Sequence, residues 1–203
     1  MNTKIKHLCD QLSQQFESIP FERKVLLEKI AAYIQQKKDT NLPIQLIYVC
    51  THNSRRSHFG QIWAAVSAEY FGVNDVSTFS GGTEATAFNP NAIQALRGLG
   101  FDITSIDSSS NPRHEVDFGG SKPSVCFSKV YDDASNPTSN FAAIMTCGDA
   151  EENCPFIPGV ELRIGTTYDD PKMFDGTDLQ NEKYKERALQ IGLETFYLFS
   201  QIK

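Results

Sequence analysis

Within eight residues, Cys50-Thr51-His52-Asn53-Ser54-Arg55-Arg56-Ser57, the chain carries a thiol, two guanidinium groups and several hydroxyls. A cysteine followed six residues on by Arg56 suits attack on a tetrahedral oxyanion, with the planar guanidinium fork matched to two of its oxygens. Backbone N–H groups of such a loop, with Arg55, Arg56 and the Ser57 hydroxyl, favour the thiolate over the thiol. The same donors would hold the substrate's oxygens during attack. Thr51, His52, Asn53, Ser54, Arg55 and Arg56 are therefore read as an anion-binding loop around Cys50. Asn53 tolerates left-handed backbone there, and Ser57 stands at the start of a helix. Arg55 either adds charge near the sulfur or points to solvent; lacking a partner recognisable in the sequence, it reads better as solvent-facing.

That chemistry needs a strand and a helix to position it, and the flanking sequence supplies both. Ile44 to Val49 is a short apolar, β-branched run of the kind that makes a buried parallel strand. Ser57 to Phe71 has helical spacing, with Phe59, Ile62, Trp63, Val66 and Tyr70 on one side. A loop joining such a strand to such a helix lies at the carboxyl edge of the sheet, where N–H groups converge and anions bind. Val76 to Phe79 and Phe141 to Met145 read as further strands, and Asn89 to Leu99 as a helix ending at Gly100. Asp178 to Ile202 reads as a long last helix. This alternation predicts a parallel α/β sheet. From Asn2 to about Asp39 the pattern is helical, with Pro20 suited to a first turn. Residues 104 to 140 are less regular, with a possible hairpin around Gly119-Gly120.

The gross composition narrows the function. A chain of 203 residues, 40% hydrophobic, suits one domain with additions. These are read as a catalytic domain over 41–203 with an insertion at about 104–140, preceded by a helical extension over 1–40. A net charge of −6 gives no general attraction to nucleic acid or to an anionic membrane. No run approaches the roughly 20 apolar residues of a membrane span, and the start has no signal-peptide pattern, so a cytoplasmic location is expected. Cysteines at 9, 50, 126, 147 and 154 are too few and too unevenly spread for a secreted disulfide framework. Cys9 and Cys126 are read as packing residues, and His7, His58 and His114 carry no motif.

The loop from Val49 to Ser57 resembles the C-x-G-N-x-C-R-S loop shared by low-molecular-weight protein tyrosine phosphatases and thioredoxin-coupled arsenate reductases. Ser80-Gly81-Gly82-Thr83, Asn89-Pro90-Asn91-Ala92 and Gly100-Phe101-Asp102-Ile103 are similar to that superfamily's S-A-G-T, N-P-x-A and G-I-D-I stretches. The resemblance covers about 44 to 103 and 141 to 200 and implies a three-layer fold, a parallel sheet with helices on both faces. Two positions depart from the pattern. His52 replaces the usual Gly, and histidine is among the residues more often found at positive φ; Arg55 stands where a small residue is common. Tyr168-Asp169-Asp170-Pro171 looks like the family's D-P loop, which makes Asp170 the implied general acid and Asp169 its understudy.

Cys147-Gly148-Asp149-Ala150-Glu151-Glu152-Asn153-Cys154-Pro155 resembles the C-G-x-A-x-x-x-C-P segment of thioredoxin-coupled arsenate reductases. The implied mechanism is a relay: Cys50 attacks arsenate, Cys147 displaces arsenite, Cys154 takes over the disulfide, and thioredoxin reduces it. No organic cofactor or metal is implied. Seven residues of helix rise roughly 10.5 Å, beyond the roughly 7 Å Cα separation of a disulfide, so this segment must leave a helical form to oxidise. Three other readings compete. The six residues between Cys147 and Cys154 are unlike zinc spacing. Plain phosphatase chemistry would use Cys50, Arg56 and Asp170 to hydrolyse a phosphomonoester through a cysteinyl phosphate. A non-catalytic oxyanion sensor would bind with the same cup and turn over nothing.

Overall fold

In the computed structural model, which describes residues 1–153 and 156–203, the apolar run Ile44–Cys50 becomes the central strand β1. It pairs in parallel with β2 (Val76–Gly82) on one side and β6 (Phe141–Met145) on the other, and β7 (Val160–Gly165) extends the sheet beyond β6. The resulting order is β2-β1-β6-β7. Alternation along β1 sends Leu46 and Tyr48 to one face and Ile47 and Val49 to the other. The first face packs on α2 (Phe21–Asp39), α3 (Arg56–Phe71) and α6 (Gln180–Ser200). The second is covered by the short α5 (Gly148–Asn153) and by Ile157 and Tyr131. Helices thus flank a parallel sheet, as the sequence predicts.

Helix α3 approaches β1 closely because Gly60 has no side chain: a Cβ there would lie 2.2 Å from the Tyr48 ring. Trp63 is fully buried between α3, α6 and the aromatic rings of Phe101 and Phe196. Helix α4 (Pro90–Leu99) starts at Asn89, whose side chain accepts from Asn91 N and Ala92 N, and stops at Gly100 in left-handed geometry.

The segment from Asn2 to Asp39 is helical as expected, and it divides into two helices. Helix α1 (Thr3–Ser13) ends before a 3₁₀ turn at Phe16–Ser18, and Pro20 precedes α2, where its missing N–H costs nothing. Strand β2 runs on through Ser80 to Gly82, beyond the apolar residues that mark its start. The irregular region holds a small antiparallel sheet: β3 (Asp102–Ser105), β4 (His114–Asp117) and β5 (Ser124–Cys126), ordered β3-β4-β5. The β4–β5 pair is the hairpin expected around Gly119-Gly120. Strand β7 has no apolar run to announce it, since Glu161 and Arg163 alternate outward at the sheet edge.

Candidate active site

Cys50 ends β1 and Arg56 begins α3, so residues 51–55 must turn the chain over the carboxyl edge of the sheet within five residues. Asn53 makes that turn possible with φ of 44°. Its amide also ties the loop's far end to the 104–140 segment: Nδ2 donates to Ser57 Oγ at 2.8 Å, and Oδ1 accepts from Lys129 N at 2.9 Å. Ser57 Oγ in turn lies 3.1 Å from Cys50 Sγ. His52 is not among the positive-φ residues; its carbonyl accepts from Ser128 Oγ and Thr86 Oγ1, and its ring lies 3.6 Å from Glu84. The left-handed residue is Asn53, so histidine in place of glycine imposes no backbone strain. Ser54 turns its hydroxyl away, to Ala87 O, and contributes backbone only. Gly82 lies behind the loop, where a Cβ would meet Thr51 O at 2.6 Å and Asn53 N at 2.7 Å.

Arg56 is buried and bridges the loop to the acid segment. Nη1 donates to Tyr168 O at 2.8 Å and Nη2 to Asp170 Oδ2 at 2.7 Å. Its Nε is buried and has no partner among the described residues. Asp170 caps a 3₁₀ turn, Pro171–Phe174, accepting from Lys172 N at 3.0 Å through its other oxygen. Asp169 points out, with its side chain 91% exposed and Arg187 at 3.4 Å its ion-pair partner among the described residues, so Asp170 is the carboxylate that meets Arg56.

Arg55 does not face solvent. Its side chain is 11% exposed, with Nε donating to Tyr184 OH at 2.8 Å and the carboxylates of Asp170 and Asp175 at 3.9 and 3.8 Å. Tyr184 OH donates onward to Asp175 Oδ1 at 2.7 Å. The signal that sequence reading lacked was the acidic pair of partners more than a hundred residues downstream.

Cys147 is buried at the start of α5, in the same side-chain cluster as Cys50. The Thr51 hydroxyl lies 3.4 Å from Cys147 Sγ and donates to Asp149 Oδ2 at 2.7 Å, linking the Cys50 loop to α5. Cys50 and Cys147 are both free thiols. Cys154 lies outside the described residues. Among the described residues no group of three His, Cys, Asp or Glu side chains is placed to hold a metal. Cys9 and Cys126 are buried away from the cup, and burial pushes both thiols up to about 12.

The acid segment is held from behind by α2. Arg23 Nε donates to Glu194 Oε2 at 2.7 Å and Nη2 to Thr166 O at 3.0 Å, and its guanidinium stacks 4.6 Å from the Tyr168 ring centroid. Tyr168 OH donates to the same Glu194 oxygen at 2.7 Å. Arg23→Ala leaves a buried carboxylate without its cation, a loss of about 3 kcal/mol. The urea midpoint should fall accordingly, and activity should fall with it because Tyr168 O receives Arg56. Full stability in Arg23→Ala would show that α2 does not brace this segment.

His58 follows the loop, with Nδ1 3.1 Å from Ser80 Oγ and its ring 4.1 Å from Phe88. Burial, reinforced by the Lys129 charge, holds its pKa well below the usual histidine range. Unfolded chain therefore takes up a proton below about pH 6.5 that folded chain does not, so stability is complete above that pH and falls below it. Between pH 6.5 and 5 the loss should approach about 1.4 kcal/mol per pH unit, read from urea midpoints. His58→Asn should flatten that slope; an unchanged slope would remove His58 as its source.

No family model matches the chain. Solved structures that share its fold include a low-molecular-weight phosphotyrosine phosphatase from Vibrio cholerae, at TM-score 0.51 and 18% identity over 78% of this chain and 95% of that one. Another is an arsenate reductase in its phosphate-binding state, at TM-score 0.52 and 20% identity over 79% and 99%. The fold is thus that of the low-molecular-weight phosphatases. Among curated sequences, the arsenate reductase of Bacillus subtilis is 28% identical over 70% of this chain and 85% of its own length. That of Shouchella clausii is 30% identical over 65% and 77%. The chain belongs to the arsenate reductase family.

Proposed function

We propose that this protein reduces arsenate to arsenite through a three-cysteine relay regenerated by thioredoxin. The observation that carries the reading is the burial of Cys50 and Cys147 in one cluster, with Thr51 of the anion loop touching both the second thiol and Asp149. In the first step Cys50 thiolate bonds to arsenic and a hydroxyl leaves as water, its proton coming from Asp170. Arg56 holds two oxygens, with its unpartnered Nε as one donor. Cys147 thiolate then attacks the Cys50 sulfur; the Cys50–arsenic bond breaks, its electron pair goes to arsenic, and arsenite leaves. Cys154 attacks the Cys147 sulfur next and frees Cys50 as thiolate, so that Cys147–Cys154 is the disulfide presented to thioredoxin. The exchange requires the segment 147–154 to take a non-helical form, since positions 147 and 154 on one helix would be too far apart for a disulfide. Equal amide-exchange patterns over 148–155 in reduced and oxidised protein would contradict this change of form.

The relay needs no organic cofactor or metal. We place the enzyme in the cytoplasm, where thiols are kept reduced; no helix among the described residues is long and apolar enough to cross a membrane. Residues 1–40 act as a brace on the 41–203 domain through Arg23, and the 104–140 insertion supports the anion loop through Ser128 and Lys129. The same cup with Asp170 also suits phosphomonoester hydrolysis, because arsenate and phosphate present the same tetrahedral oxygens.

The test is NADPH consumption with thioredoxin and thioredoxin reductase, with and without arsenate, beside p-nitrophenyl phosphate hydrolysis. Cys147→Ser and Cys154→Ser should each abolish arsenate-dependent oxidation and leave hydrolysis within about threefold. Hydrolysis alone, with no arsenate-dependent oxidation in the wild type, would make the protein a phosphatase. Phosphate binding with neither activity would make it a sensor.

A further inference from the structure

A groove of about 1090 Å³ runs along the outer edge of β2, between that strand and β5, and shares with the Cys50 loop only the backbone of Lys129. Three cations line it: Arg113, Lys122 and Lys129. Arg113 and Lys129 both sit over the Phe127 ring, at 4.6 and 4.3 Å from its centroid. Among the described residues none of the three has a carboxylate at ion-pair distance. The nearby acids are hydrogen-bonded within their own turns and act on these cations only at longer range, Asp133 on Lys129 and Arg113 and Asp107 on Arg113. Asp133 accepts from Ser135 N and Oγ, and Asp107 from the backbone N–H groups of Ser109 and Arg113. Glu69 and Asp75 also line the groove, beside the residues that lead from α3 into β2.

Lys129 is the informative residue. It is 5% exposed, and its backbone already serves the fold: its N–H supports Asn53 and its carbonyl accepts from Gly82 N. Any residue could supply those two bonds, so they do not explain a lysine. Its stem is buried while its ammonium, with no ion pair among the described residues, lines the groove, and a partly desolvated charge left unpaired is costly. Burial accordingly lowers its pKa from the ordinary lysine value. A ligand anion in the groove would supply the missing acceptor.

We propose that this groove is a second anion site, separate from the Cys50 cup, which takes a phosphorylated organic molecule with its phosphoryl oxygens among Arg113, Lys122 and Lys129. An inorganic oxyanion alone would leave most of the space unfilled, whereas organic ligands commonly occupy pockets of roughly 300–1,000 Å³. The hydroxyls of Thr78, Ser124 and Ser135 on the walls offer further hydrogen bonds to such a molecule's body.

Calorimetric titration of the full chain with ADP and with pyrophosphate, in chelator, tests this. The titrations use an Arg56→Met background, which removes the cup's guanidinium and weakens its contribution. One-to-one binding of either probe is expected, weakened at least tenfold by Arg113→Ala and by Lys129→Met, which keeps the backbone support of Asn53. If Lys129→Met does not fold, the exposed changes Arg113→Ala and Lys122→Ala decide the matter, each weakening binding. Absence of binding by both probes at millimolar concentration would overturn the proposal. So would binding to wild type that disappears with Arg56→Met and is untouched by Arg113→Ala, since the cup alone would then account for it. Binding of polyglutamate but of neither probe, with the same Arg113 dependence, would also overturn it and make the β2 edge a seat for an acidic peptide.

Discussion

Cys50→Ser should lower turnover by roughly 10⁴-fold or more on arsenate and on p-nitrophenyl phosphate alike, while phosphate still binds. The change replaces one atom. A hydroxyl at this position can keep the contact with Ser57 Oγ, 3.1 Å in the native loop, but an alcohol oxygen is a far weaker nucleophile than sulfur. In the proposed reading, binding depends on the loop's N–H groups and on Arg56, none of which the substitution touches. Phosphate affinity measured by calorimetry should therefore stay within a few-fold of wild type. Activity above about one per cent of wild type would mean that another residue is the nucleophile.

Arg56→Lys comes next in size, with an expected loss of about 10³-fold in kcat/KM, carried by both kcat and KM. The guanidinium makes two directed bonds, to Tyr168 O and Asp170 Oδ2, and keeps Nε in reserve. A lysine retains the charge but cannot hold the acid segment and fork two oxygens of an oxyanion together. The loss should be larger for phenyl phosphate than for p-nitrophenyl phosphate, because the poorer leaving group depends more on a well-placed Asp170. Equal losses on the two esters would separate Arg56 from the acid.

The core of this site is legible in the sequence because strand, loop and helix are consecutive, and local spacing carries their geometry. That spacing puts Cys50 at a strand end and Ser57 at a helix start, and the short apolar runs at 44–49 and 141–145 announce the parallel sheet. What escaped reading depends on partners distant in the chain. Arg55 has no recognisable partner until α6 brings Tyr184, and the turn before it brings Asp175, to its side chain. The brace from Arg23 to Glu194 spans 171 positions, and nothing local distinguishes that arginine from its neighbours on α2. Strand β7 was invisible because an edge strand can expose Glu161 and Arg163 without penalty. Ser128 and Lys129 support the anion loop through a hydroxyl and a backbone N–H, bonds that leave little or no mark on side-chain pattern.

The relay is tested most directly by mapping thiols after one equivalent of arsenate is added to fully reduced protein without thioredoxin and the mixture is quenched in acid. Attack by Cys50 followed by Cys147 predicts the loss of two thiols per arsenite released, with a linked peptide joining Cys50 to Cys147 or Cys147 to Cys154. Cys154→Ser should trap the Cys50–Cys147 pair. Five free thiols with arsenite formed, or a disulfide that includes Cys9 or Cys126, would contradict it.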